Sequence, residues 1–119
     1  MRKLYRGEVI IAWYPDGLDA NGKKKLKPRH VIVKTDSKKN SDVISVYCTT
    51  QNNGDDKNNI FVPLKSEDGI KMGLTEDTYI RPKVIRTLPT EAIIRPVGRC
   101  SLMQEIDKII DANMSNNNR

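Results

Sequence analysis

Residues 5–33 read YRGEVIIAWYPDGLDANGKKKLKPRHVIV, and the reading of this stretch decides the architecture. Tyr5 to Tyr14 is β-branched and aromatic with one glycine near its start, which predicts a first strand with at least one buried face. Pro15-Asp16-Gly17 breaks that run and Asn21-Gly22 adds a second turn signal, so Asp16 to Lys27 reads as a long, exposed, mobile excursion rich in lysine. His30 to Lys34 then forms a second strand, with Arg29 at its mouth. A guanidinium fixed there suits a phosphodiester, because its planar fork matches two phosphate oxygens at once.

Outward from this stretch the β pattern continues. Asp42 to Thr49 (DVISVYCT) nearly alternates and predicts a third strand, completing an antiparallel meander. Residues 50–59 (TQNNGDDKNN) contain no apolar side chain. Ile60-Phe61-Val62-Pro63-Leu64 resumes a strand that its proline confines to an edge or an end. Thr78 to Thr87 and Ile93 to Cys100 are weaker strand candidates, interrupted by Pro82 and by Pro96 and Gly98. A helix is predicted from Ser101, where Ser101 with Gln104 makes a capping box, and Leu102, Ile106, Ile109 and Ile110 form one apolar stripe. The polar tail after Ala112 is expected to fray.

Five or six short strands, a terminal helix and no βαβ alternation predict an α+β fold, mainly β, built on a small, strongly curved sheet or barrel. At 119 residues the chain has room for one modest core, expected over residues 1–113 with a disordered tail at 114–119. No apolar run approaches the roughly 20 residues that span a bilayer. Met1-Arg2-Lys3 is followed at once by Tyr5, Arg6 and Glu8, leaving no apolar signal segment, so a cytoplasmic protein is expected. Cys48 and Cys100, without CxxC spacing or clustered histidines, predict neither a metal site nor a disulfide, and no cofactor. The formal charge of +6 suits a polyanionic partner, nucleic acid among others. The carboxylates Asp55, Asp56, Glu67 and Asp68 read as solubilising groups in polar loops.

Four segments in order carry a resemblance. They are Arg6-Gly7-Glu8-Val9, Arg29-His30-Val31-Ile32-Val33 after a variable basic loop, Cys48-Thr49-Thr50, and Gly73-Leu74 through Thr78 to Ile85-Arg86-Thr87. Together with Val97-Gly98 and the closing helix they resemble the MazF/PemK/Kid family of toxins from bacterial toxin–antitoxin pairs. His30 stands where that family usually has proline, and Leu88-Pro89 where an acidic residue commonly follows.

The resemblance implies an SH3-like antiparallel barrel related to the gyrase poison CcdB, a homodimer, and a metal-independent endoribonuclease acting on single-stranded RNA. It also implies an antitoxin whose acidic, disordered segment covers the RNA groove. Arg29 matches the family's catalytic arginine, Thr49 its active-site hydroxyl, and Arg86 a second phosphate ligand. A strand-end ion pair, an ordinary β-forming threonine and a snorkelling arginine remain the plainer alternatives for these three. Thr50 is the alternative to Thr49 if the register slips by one.

His30, the sole histidine, is a candidate acid or base. Neighbours on a strand point to opposite faces, however, so Arg29 and His30 are expected to share a site only if the strand end is bulged. Lys23, Lys24, Lys25 and Lys27 offer salt-sensitive attraction to RNA. Trp13 could stack on unpaired bases, or serve in a core or dimer contact. A non-catalytic toxin of the CcdB kind, or a simple nucleic-acid-binding protein, is the alternative function. A bare peptide-binding SH3-like module is disfavoured by the six aromatic residues.

Overall fold

A computed structural model describes residues 3–38, 41–51 and 57–117, the backbone alone for 113–117. The strands are β1 (Glu8–Leu18), β2 (Lys24–Val33), β3 (Val43–Thr49), β4 (Ile60–Val62), β5 (Thr78–Leu88) and β6 (Ile93–Arg99). Two helices, α1 (Glu67–Lys71) and α2 (Met103–Asn117), and a 3-10 turn at Thr90–Ala92 complete the described elements. All strands join one antiparallel sheet in the order β4-β5-β3-β2-β1-β6. The α+β class dominated by β, the β1-β2-β3 meander and the placing of β4 at an edge match the sequence reading.

Strict alternation gives the sheet two packed faces. Val9, Ile32, Val46, Cys48, Val62 and Ile80 point to one side, where Met103, Ile106 and Ile110 of α2 cover them. Ile10, Ala12, Tyr14, Val31, Val33 and Val43 point to the other and meet Leu4, Leu88 and Ala92. Burying each large aliphatic side chain contributes about 1.5–3 kcal/mol, so the apolar stripe of α2 holds the helix on the sheet more firmly than its propensities would.

The sheet curls until its ends meet through α1. Ser66 caps this helix, its Oγ accepting from the Gly69 N–H at 3.0 Å, and the chain leaving it presses on β6 at the far end of the strand order. The contact is backbone on backbone: a Cβ at Gly98 would lie 2.3 Å from the Lys71 carbonyl oxygen, and one at Gly73 2.2 Å from that of Val97. Only glycine permits so close an approach.

Several local expectations give way to the fold. The expected mobile loop is a β-hairpin: β1 runs on to Leu18 and β2 begins at Lys24. Its turn is held by the Asp19 carboxylate, which accepts from the N–H groups of Asn21 and Lys23, both at 2.9 Å, with Gly22 at φ 79°. Asn21-Gly22 therefore closes a hairpin instead of opening a loop.

Pro82 does not demote β5, because it falls where the β3 ladder jumps from Val46–Ile85 to Tyr47–Arg81 and no bond from its nitrogen is required. Pro96 is tolerated on the edge strand β6 in the same way. Glu67 and Asp68, read as loop residues, form the first turn of α1, where carboxylates favour the helix dipole. Asp55 and Asp56 lie outside the described residues.

The capping box at Ser101 is not made. Its hydroxyl donates to Asp68 at 2.6 Å, and α2 starts at Met103, two residues later. The helix also continues past Ala112 to Asn117, since asparagine costs a helix only a fraction of about 1 kcal/mol per residue.

Candidate functional site

The β2–β3 ladder is short: Val33 pairs with Ser45, Ile32 with Val46 and Val31 with Tyr47, and there it stops. Beyond that point Lys24 to His30 pair only with β1, while Cys48 and Thr49 pair only with β5. The two strands part like a fork. Between them opens a cavity of about 470 Å³ whose walls include Arg29, His30, Thr49 and Thr50.

The fork accounts for a difference from the sequence reading. The β1–β2 register stays continuous through Ala12–Arg29 and Ile11–His30, with no bulge there, yet both Arg29 and His30 line the cavity. A space at the open edge of a strand receives side chains from both of its faces. Tyr47 and Thr49 reach it from the side of Arg29, and Cys48 and Thr78 from the side of His30.

Arg29 is not free. Asp16, near the end of β1, accepts from its guanidinium at 3.4 Å and from the Lys27 ammonium at 3.3 Å. The Lys27 hydrogen bond, joined by the Lys27 charge and then by the hydrogen bond and charge of Arg29, holds the Asp16 carboxyl below its ordinary range against some desolvation. It stays ionised and orients both cations on the hairpin's cavity side.

The Thr49 hydroxyl accepts from the Gln51 N–H at 3.2 Å, which keeps its own proton available for a further acceptor. Sequence reasoning missed Asp16, Gln51, Thr75 and Glu76, all on the cavity wall. Only the polar G-L-T-E-D-T run signalled the last two.

His30 is half-buried, and its Nε2 is buried without a hydrogen-bond partner. Burial lowers its pKa most; a hydrogen bond with the Gly73 backbone opposes this, and Arg95 adds to it. The folded chain therefore holds a neutral imidazole.

Because the unfolded histidine titrates near pH 6.5, the corresponding stability is complete above that pH and is lost as pH falls through it towards the lower folded value. Urea denaturation from about pH 8 to about pH 5 should show this decline, and His30→Asn should flatten it in that window. An equally steep decline in His30→Asn would assign it to other groups.

Cys48 also reaches the wall, but burial, with Cys100 nearby, pushes its thiol far above the ordinary range. It remains a protonated thiol, not a nucleophile. Cys100 is buried as well, so both cysteines behave as small core residues.

Six expected contributors lie off the wall: Arg86, Trp13, Lys23, Lys24, Lys25 and Lys27. Arg86 sits with its guanidinium 5.7 Å from the Tyr14 ring centre, and Tyr14 stacks on Tyr47 at 4.6 Å. Arg86 thus touches the cavity only through that pair. Burial raises the Tyr14 pKa against the pull of Arg86. Trp13 is exposed on the opposite face of the hairpin from Tyr14, and Lys23, Lys24 and Lys25 are exposed at its tip.

Among the described residues no three His, Cys, Asp or Glu side chains come together to hold a metal, and no helix is long and apolar enough to cross a membrane. Chemically, the cavity offers a guanidinium, a hydroxyl and the ionised Asp16 carboxylate around an open space.

Comparison with known proteins adds one finding. No curated protein matches the chain. A family model does, over residues 5–113, covering both arms of the fork, the curled sheet and most of α2. The chain belongs to the PemK-like, MazF-like toxins of type II toxin–antitoxin systems.

Proposed function

We propose that this toxin is an endoribonuclease that cuts single-stranded RNA by using the substrate's own 2′-hydroxyl. The observation that carries the reading is the meeting of Arg29 and Thr49 on the wall of one open cavity. In the reaction the 2′-oxygen loses its proton and attacks the adjacent phosphorus. The bond from phosphorus to the 5′-oxygen breaks, that oxygen takes up a proton, and the products are a 2′,3′-cyclic phosphate and a 5′-hydroxyl.

Arg29 stabilises the extra negative charge on the pentavalent phosphorus, and Thr49 donates to a phosphate oxygen. The proton acceptor comes from the cavity's titratable groups, Asp16, His30 and Glu76. Asp16 is held ionised by its cations and His30 neutral by burial, so both stand in proton-accepting form. Arg86 supports the site from behind, through Tyr14 and Tyr47. Lys23, Lys24 and Lys25 draw the polyanion in, with a salt dependence to match.

A type II toxin implies a cognate antitoxin. Its acidic, disordered segment would compete with RNA for Arg29 and Lys27. A homodimer acting in the cytoplasm completes the proposal.

The test is incubation of the purified protein with a long single-stranded RNA and excess chelator. Site-specific cuts should persist, and their ends should carry cyclic phosphate and 5′-hydroxyl, because the nucleophile belongs to the substrate. Intact RNA, with or without added divalent metal, would sink the nuclease reading and favour a non-catalytic toxin on the same scaffold.

A further inference from the structure

The register of the sheet continues past the cavity. The β2–β3 ladder ends at Val31–Tyr47, and beyond it Arg29 on one arm and Thr49 on the other both line the cavity. Thr49 in turn pairs with Tyr79, and Tyr79 with Phe61. Directly opposed residues share a face, so Thr49, Tyr79 and Phe61 form one row at right angles to the strands. It runs across β3, β5 and β4 to the end of the strand order, on the face away from α2.

The far half of this row is an aromatic pair that neither core uses. The Phe61 and Tyr79 rings have centroids 4.9 Å apart and planes tilted by 38°. Phe61 is 49% exposed, although its neighbours Ile60 and Val62 turn into the core. An open phenyl ring beside a second ring, in register with the Thr49 hydroxyl, carries the same sheet face onward from the cavity's edge.

We propose that Phe61 and Tyr79 form a stacking platform for an unpaired nucleobase next to the phosphate held at Arg29 and Thr49. The inference rests on the ribonuclease reading and adds to it the place of the neighbouring base. Strands lie about 4.8 Å apart, which sets the two rings about 5 and 10 Å from Thr49 along the row, within one nucleotide's reach. Every base presents a π-face, so the platform tolerates different sequences. It also selects single strands, because a base inside a duplex is already stacked on both faces. The net charge of +6 favours a polyanion here over an apolar peptide.

The experiment measures equilibrium binding of the full chain to short, fluorescently labelled 2′-O-methyl oligoribonucleotides, which cannot be cut by attack of their own 2′-oxygen. Phe61→Ala should weaken binding by about tenfold or more, and Phe61→Trp should restore it. The slope of affinity against salt should stay unchanged, since stacking releases no counterions. Equal affinity in Phe61→Ala and the parent chain overturns the proposal. So does a loss of binding that tracks a change of sedimenting mass, which would mark the pair as a contact between copies of the chain.

The two readings fail separately. Phe61-dependent binding without any cleavage of ordinary RNA sinks the nuclease and keeps the platform. Cleavage with a KM indifferent to Phe61→Ala does the reverse.

Discussion

Replacing Arg29 with alanine is expected to lower RNA cleavage by about 10²- to 10³-fold, the usual cost of removing one donor aimed at transition-state charge. The fold should survive. Arg29 is only partly buried, its ion pair with Asp16 spans 3.4 Å at the surface, and Asp16 keeps Lys27 as partner at 3.3 Å. Exposed pairs of this kind contribute about 0–1 kcal/mol to stability. Arg29→Lys should recover only part of the rate, because an ammonium replaces the charge without the planar fork that grips two phosphate oxygens. Single-turnover cleavage beside thermal melts separates these effects. Parent-like rates in Arg29→Ala would remove the guanidinium from the chemistry.

A large stability effect is expected where the sheet closes, at Gly98. A Cβ there would lie 2.3 Å from the Lys71 carbonyl oxygen and 2.5 Å from the Met72 carbonyl carbon, both of them backbone atoms that no rotamer change can move aside. Gly98→Ala must therefore part β6 from the segment leaving α1, the contact that brings the ends of the sheet together. Overpacking of this kind costs about 3 kcal/mol, which corresponds to a melting temperature lower by about 15 °C in a domain of this size. Gly22→Ala is the control: its φ of 79° disfavours a side chain, but nothing lies within 4 Å of its Cβ position. Left-handed strain alone costs about 1–2 kcal/mol. Urea denaturation of the two variants should show that difference, and equal midpoints would mean that the sheet closes by other contacts.

How much of this was legible beforehand varies with the range of the interaction. The strands of the meander, the edge position of β4 and the stripe of α2 follow from apolar spacing, which is local. The hairpin was misread because Asp16 to Lys27 is mostly polar, and what orders it is a set of bonds from backbone N–H groups to the Asp19 carboxylate that residue types alone signal weakly. Ser101 looked like a cap because its spacing to Gln104 is right. The folded chain instead turns its hydroxyl to donate a charge-assisted hydrogen bond to Asp68 at 2.6 Å, and α2 starts two residues later. Helix α1 was overlooked for being a single turn, too short for any periodicity to show.

The candidate site divides along the same line. Arg29 and Thr49 were named from motifs, Thr50 as the register alternative and His30 as the sole histidine, and all four line one cavity, whereas Arg86, equally suggested by a motif, stands behind Tyr14. Asp16 was invisible as a partner of Arg29 because they are thirteen residues apart. Only the pairing of β1 with β2 brings them together.

By itself the sequence determined the class of fold, the alternation that assigns Arg29 and Thr49 to strand faces, and the excess of positive charge. Those properties depend on each residue and its near neighbours, so the order of side chains along the chain contains them. Tertiary structure alone decided that β2 and β3 separate after Val31–Tyr47, that both faces of β2 open into one cavity, and that Tyr79 and Phe61 fall in register with Thr49. Period-two patterning states which way a side chain points. Which strand lies opposite, and where the two part, is settled only when hydrogen-bond ladders between distant segments compete and one register wins.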